Sequence, residues 1–170
     1  MPIYYPDLVF EDWLYIGSYD TTRNKKFIDQ QGITHIFSAI GPEAEPYRTL
    51  TYGSIDIEDS SSQELNVAIR QCCEFILATR RSSRTKVLVH CAMGVSRSVA
   101  LVMGYLIIHH RMASWEALAT IVKSRPHAFP HYEFREQLRR LADRVSRGET
   151  DPLKTDLIVS VIESVTETGV

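Results

Sequence analysis

Two hydrophobic periods alternate along this chain. Leu65, Ile69, Cys72 and Ile76 recur at spacings of four, three and four, which places them on one face of a helix over 64–79. Val87-Leu88-Val89 is instead a short, fully apolar run and predicts a buried strand. From Ser96 to about His110 the chain is apolar almost all round, so this segment is the expected central buried helix. Earlier segments read the same way. Trp13 to Gly17 predicts a strand, and Asn24 to Gln31 a short helix stopped by Gly32. Ile33 to Ile40 predicts a strand closed by Gly41-Pro42, and Leu50 to Ile57 another. Ser114 is positioned to cap a helix running through Lys123, ahead of Pro126. Phe134, Leu138, Leu141 and Val145 keep register over a last helix, 132–146. Strands interleaved with helices, followed by helices alone, predict an α/β fold with a mostly parallel central sheet flanked by helices.

One domain over 1–148 accounts for this pattern. The stretch 149–170 opens on Glu-Thr-Asp-Pro, like a linker. Leu157, Ile158, Val161, Ile162 and Val165 then return at helical spacing. The tail is expected to be a helix docked on its own domain or a frayed end, with partner binding as the sharper alternative.

Composition narrows the class. The 170 residues are 44% hydrophobic and 24% charged, with 19 basic and 21 acidic side chains and a formal charge of −2. No basic excess points to bulk nucleic-acid binding, so attraction for an anionic partner must come from a local patch. Arg80, Arg81, Arg84 and Lys86 form one such cluster, either a solvated turn or a docking patch for acidic substrate residues. Cys72, Cys73 and Cys91 make no disulfide framework, which suits a reducing compartment. No signal peptide opens the sequence, Pro2 excludes N-myristoylation, and the longest apolar run, Val99 to Ile108, is too short to span a bilayer. A cytoplasmic or nuclear setting is expected, with no membrane partner and no nucleic acid.

The chemistry concentrates in His90-Cys91-Ala92-Met93-Gly94-Val95-Ser96-Arg97-Ser98. The segment follows an apolar strand and opens an apolar helix. A loop so placed points several backbone N–H groups into one concavity, and the helix N-terminus adds partial positive charge. Such a nest binds a phosphate dianion through residues 92–97, and it favours a thiolate over a thiol at its floor. Cys91 stands there as the candidate nucleophile. The planar fork of Arg97 suits two phosphoryl oxygens. Gly94 permits a left-handed turn and close backbone approach. Ser98 is placed to donate its hydroxyl to the sulfur as it leaves. His90 is read as structural support rather than as a base, influencing the thiolate through its own hydrogen bonds. No metal-ligand cluster and no cofactor motif is visible.

His90-Cys-x-x-Gly-x-Ser-Arg-Ser98 resembles the signature loop of the dual-specificity protein tyrosine phosphatases. The resemblance extends over about residues 7–145. Trp13-Leu14-Tyr15-Ile16-Gly17-Ser18 and Gly32-Ile33-Thr34-His35-Ile36 resemble two of the family's strands. Arg125-Pro126, Pro130-His131 and Phe134-Arg135-Glu136-Gln137-Leu138 resemble its closing motif. With no targeting domain ahead of it in this sequence, the chain is similar to the small, atypical members. Two positions depart from the family pattern: Ser38 and His131 stand where Asn is usual.

The resemblance implies that phosphorylated proteins are the substrates, that turnover needs no metal, and that a phosphocysteine forms. It also implies a general acid in the loop after the third strand, roughly thirty residues before the cysteine. Asp56, Glu58 and Asp59 stand there. Strand alternation puts Asp56 and Glu58 opposite Ile55 and Ile57, while Asp59 falls just past the strand end. Asp59 is the expected acid, with Asp56 as its alternative. The loop between Cys91 and Arg97 carries no basic residue, which argues against a multiply charged inositol lipid. A binding module that captures phosphoproteins without turnover, an RNA phosphatase and a sulfur transferase are the competing classes.

Overall fold

A computed structural model describes residues 5–42, 47–80 and 84–153. Among these residues five strands form one sheet in the order β1-β2-β5-β3-β4. They are β1 (Asp7–Phe10), β2 (Leu14–Ser18), β3 (His35–Ser38), β4 (Thr51–Ser54) and β5 (Val87–Cys91). β5 runs parallel to β2 and β3, β3 runs parallel to β4, and only β1 pairs antiparallel. The sheet is therefore mostly parallel, with β5 at its centre and every β5 residue buried.

Among the described residues six helices cover it: α1 (Tyr19–Arg23), α2 (Lys25–Gln31), α3 (Asn66–Thr79), α4 (Arg97–His110), α5 (Ser114–Ser124) and α6 (Tyr132–Ser146). Alternation along the strands divides the core. Leu14, Ile16, Phe37, Val87, Val89 and Cys91 join the cluster that contains the apolar faces of α3 to α6. Tyr15, Ile36 and Leu88 point the other way, onto Ile28 of α2 and Ile33. Cys91 thus ends the middle strand on the face that α4 covers. α4 is buried without interruption from Ser98 to Ile107, as its apolar run predicts.

Local signals set most boundaries. Asn24 caps α2 by accepting from Phe27 N–H at 3.1 Å, and Gly32 ends that helix in the left-handed region at φ 69°. Ser114 corrects the sequence reading, since it is the first helical residue of α5. Ala113 holds the cap position, and its N–H donates to the Glu116 carboxylate at 2.8 Å. β1 and α1 are additions to the elements that the sequence pattern predicts. Both are short, and β1 buries only Val9 along its length.

The chain beyond 148 stays on the domain as far as it is described. Arg70 meets Asp151 at 2.8 Å, and Leu153 is buried in the main core cluster. The apolar repeat from Leu157 to Val165 lies outside the described residues, as does Arg81 of the basic cluster. No helix of the described residues is long and apolar enough to cross a membrane.

Candidate active site

The parallel strands β2, β3 and β5 end together, and the loop 92–96 leaves the sheet at that edge. Ser18 is paired with Cys91 and Ser38 with His90. Loops at the carboxyl ends of parallel strands are where α/β proteins bind ligands. The loop is fastened on both sides. Tyr19 N–H donates to Ala92 O at 3.1 Å, and Phe129 N–H donates to Val95 O at 2.9 Å.

Within the loop, Gly94 adopts φ 69°. A side chain there would strike the Arg125 guanidinium and lie 2.5 Å from Gly17 O. This close approach lets Gly94 N–H donate to Cys91 Sγ at 3.2 Å, while Ser98 Oγ stands 3.3 Å from the same sulfur. The backbone N–H groups of Met93, Val95, Ser96 and Arg97 meet no acceptor among the described residues. Arg97 donates from Nη1 to Ile57 O at 3.3 Å, and its Nε is buried with no hydrogen-bond partner among the described residues. Donors so arranged, at the start of a long helix, form an anion-binding concavity with a sulfur at its floor.

Asp59 is brought to this concavity from the other side. Ser96 Oγ donates to Asp59 Oδ1 at 2.5 Å and accepts from His131 N–H at 2.9 Å. One hydroxyl therefore ties the acidic segment, the loop 92–96 and the start of α6 together. The Ser96 side chain is committed to these partners, so only its backbone is left to meet an anion. Asp56 sits elsewhere: it bridges to Ile40, and its carboxylate lies against Gly41.

Arg125 supports the loop from within, a placement that its sequence neighbours do not signal. It is fully buried, donating from Nε to Gly94 O at 2.7 Å and from Nη2 to Met93 O at 3.4 Å, with Asp7 2.6 Å from Nη1. Buried charge is tolerated because every face of the fork finds an acceptor.

The two departures from the family pattern have structural answers. His131 caps α6, its Nδ1 accepting from Glu133 N–H at 3.2 Å, as an Asn side-chain oxygen would. Ser38 Oγ accepts from Ile40 N–H at 3.3 Å, within the segment that leads off β3. His90 is buried, and burial pushes its pKa down to about 4 against a smaller raising effect of a hydrogen bond with the Cys91 backbone. It is a neutral ring at physiological pH. Cys72 and Cys73 lie buried on α3; burial raises both thiols, Cys73 to about 12.

A model of the dual specificity phosphatase catalytic domain matches residues 14–144. The chain belongs to the dual-specificity phosphatase family. It is 32% identical over 141 residues to dual specificity protein phosphatase 26 of Homo sapiens, covering 79% of this chain and 66% of that one. It is 36% identical over 128 residues to dual specificity protein phosphatase 1B of Arabidopsis thaliana, covering 75% and 76%. The crystal structure of DUSP15 superposes with a TM-score of 0.78 at 26% identity, over 85% of this chain and 92% of that one. The matched segment thus spans just under two thirds of the human relative.

Two members of the basic cluster, Arg80 and Lys86, stand away from this site. Lys86 immediately precedes β5, at the opposite end of that strand from Cys91. Arg80 stacks on the Trp13 ring, 4.3 Å from its centroid. Lys86 likewise lies over an aromatic ring, with Nζ 5.9 Å from the Tyr15 centroid.

Proposed function

We propose that this chain hydrolyses phosphotyrosine, and phosphoserine or phosphothreonine, in phosphorylated proteins by a metal-independent double displacement through Cys91. The observation that carries the reading is the sulfur's setting. Cys91 Sγ accepts from Gly94 N–H and faces Ser98 Oγ, at the centre of a loop of unclaimed N–H donors beside Arg97.

In the first step the Cys91 thiolate attacks phosphorus. The S–P bond forms as the P–O bond to the substrate breaks, and the Asp59 carboxyl gives its proton to the departing oxygen. Arg97 and the loop N–H groups hold the equatorial oxygens, where charge develops. In the second step water attacks the phosphocysteine and Asp59 takes its proton. The S–P bond breaks, the electron pair returns to sulfur, and Ser98 donates its hydroxyl to that thiolate. Ala92, Met93, Gly94, Val95 and Ser96 serve through their backbone, and His90 serves by holding the strand end.

The test is turnover of a phosphotyrosine peptide by wild type, Cys91→Ser and Asp59→Asn, with and without EDTA. Activity that resists EDTA and vanishes in Cys91→Ser supports the reading. Loss with EDTA that an added metal restores would sink the metal-independent mechanism. An inert wild type that binds the peptide tightly would make the chain a phosphoprotein-binding module.

A further inference from the structure

Four of the arginines on and just after α6 have carboxylate partners. Arg139 meets Glu136 and Asp143, Arg140 meets Glu133, and Arg144 and Arg147 share Glu149. Arg135 is different. Among the described residues it has no carboxylate partner, and its Nε is buried without a hydrogen-bond partner. Its guanidinium is held instead by two aromatic rings, with Cζ 4.5 Å from the Phe129 centroid and 5.8 Å from that of Tyr132. Both rings are themselves largely exposed, at 61% and 64%.

This assembly stands beside the phosphate-binding loop. Phe129 is bonded to Val95 through its N–H, His131 to Ser96, and Arg135 N–H donates to His131 O at 3.1 Å. The cation is therefore fixed one helical turn from the residue that anchors α6 to the loop. Aromatic faces hold a guanidinium plane in place while leaving its edge free for a planar or tetrahedral anion. The chain as a whole is slightly acidic, so a cation fixed at this rim is a local source of attraction that bulk charge does not supply.

We propose that Arg135, clamped by Phe129 and Tyr132, recognises an anionic residue flanking the phosphorylated residue of the substrate, either a carboxylate or a second phosphate. The inference rests on the phosphatase reading above for the site that it borders. It assigns Arg135 a role in choosing the peptide, apart from the chemistry at phosphorus.

The experiment compares wild type, Arg135→Gln and Arg135→Lys on three phosphotyrosine peptide sets and on a small aryl phosphate. One set has neutral flanks, one carries a single Asp scanned about four residues to either side, and one carries a second phosphate in the same positions. Wild type should favour at least one anionic position over neutral flanks by roughly tenfold in kcat/KM, expressed in KM and weakened by salt. Arg135→Gln should abolish that preference, and Arg135→Lys should keep part of it, with aryl phosphate turnover held within about twofold. The carboxylate and phosphate arms show which anion is read. No preference in wild type, or an equal preference in Arg135→Gln, would overturn the proposal. So would a parallel fall on aryl phosphate and neutral peptide, which would make Arg135 a brace for its loop. Should wild type be inert on every substrate, the phosphatase reading fails. The same comparison is then read as peptide binding affinity, where equal affinities in wild type and Arg135→Gln would overturn the anion site independently.

Discussion

The two loops that meet at the site are built in opposite ways. The loop 92–96 hangs between the central strand and the buried helix α4, with the fully buried Arg125 beneath it. It is bonded to residues from four other parts of the chain. The segment 58–62 lies at the surface, and Asp59 is exposed. It is held by the Ser96 hydroxyl and by the Gln63 side chain, whose Oε1 accepts from Glu58 N–H, while Gln137 of α6 donates from Nε2 to the Gln63 carbonyl. A nest for phosphate must be preorganised before the substrate arrives, whereas a proton donor has only to reach the leaving oxygen. The contrast predicts that damage to the first loop is read in folding and damage to the second is read in rate.

The largest effect expected is on the acid. Asp59→Asn should lower kcat on a phosphotyrosine peptide by about two to four orders of magnitude and shift unfolding free energy by less than about 0.5 kcal/mol. Kinetics paired with denaturant titration checks both halves. A large loss of stability would erase the distinction between the loops.

Arg125→Met attacks the rigid loop. It strands the Gly94 carbonyl and leaves the Asp7 carboxylate, 27% exposed, without its partner. Breaking such a pair costs about 3 kcal/mol, at the low end for buried ion pairs because Asp7 keeps some water. Thermal unfolding measures it, and a variant as stable as wild type would show that the loop stands without its buried support.

His90 gives the same loop a pH signature. Its pKa of about 4 in the folded state lies below the 6.5 of an unperturbed histidine. Between those values the unfolded chain binds more protons than the folded one, so stability is full above pH 6.5 and falls as pH drops. The contribution lost is about 3 kcal/mol by pH 4, and about 2 kcal/mol between pH 7.5 and 5.0. Denaturant titrations at those two pH values, compared with His90→Gln, isolate it. An unchanged slope in the variant would assign the acid sensitivity to other groups.

Ser96→Ala tests the seam between the two loops. Removing the hydroxyl frees Asp59 and leaves His131 N–H without its acceptor. A fall in kcat of about fivefold to tenfold is expected, on the scale of one hydrogen bond to a partly solvated carboxylate. Unchanged kcat would mean that Asp59 reaches the leaving group without that tether.

Much of this was legible from local pattern. Gly32 and Asn24 bracket α2 because capping is settled within a few residues. The strand–loop–helix around Cys91 is equally local, since an apolar triplet, a glycine and an apolar run need no distant partner to be recognised. β1 and α1 escaped because both are too short to show a hydrophobic period: β1 is made by pairing with β2, and α1 is a single capped turn in which Ser18 N–H donates to Thr21 Oγ1. The α5 cap differs by one residue because the tie at that end is the reciprocal one, Ala113 N–H donating to the Glu116 carboxylate, which needs no hydroxyl at the cap.

The sequence by itself determined the α/β order, the central helix and the loop with its cysteine, arginine and serines, because periodicity and spacing are properties of contiguous residues. Only the tertiary structure separated the two aspartates in space, turning Asp59 onto Ser96 and Asp56 onto Gly41 from positions three residues apart. It also decided that Arg125 lies under the loop and Arg135 on its rim, though both stand in the same closing motif. A guanidinium's surroundings come from segments far apart in sequence, and packing alone determines whether it is buried against carbonyls or left at an edge.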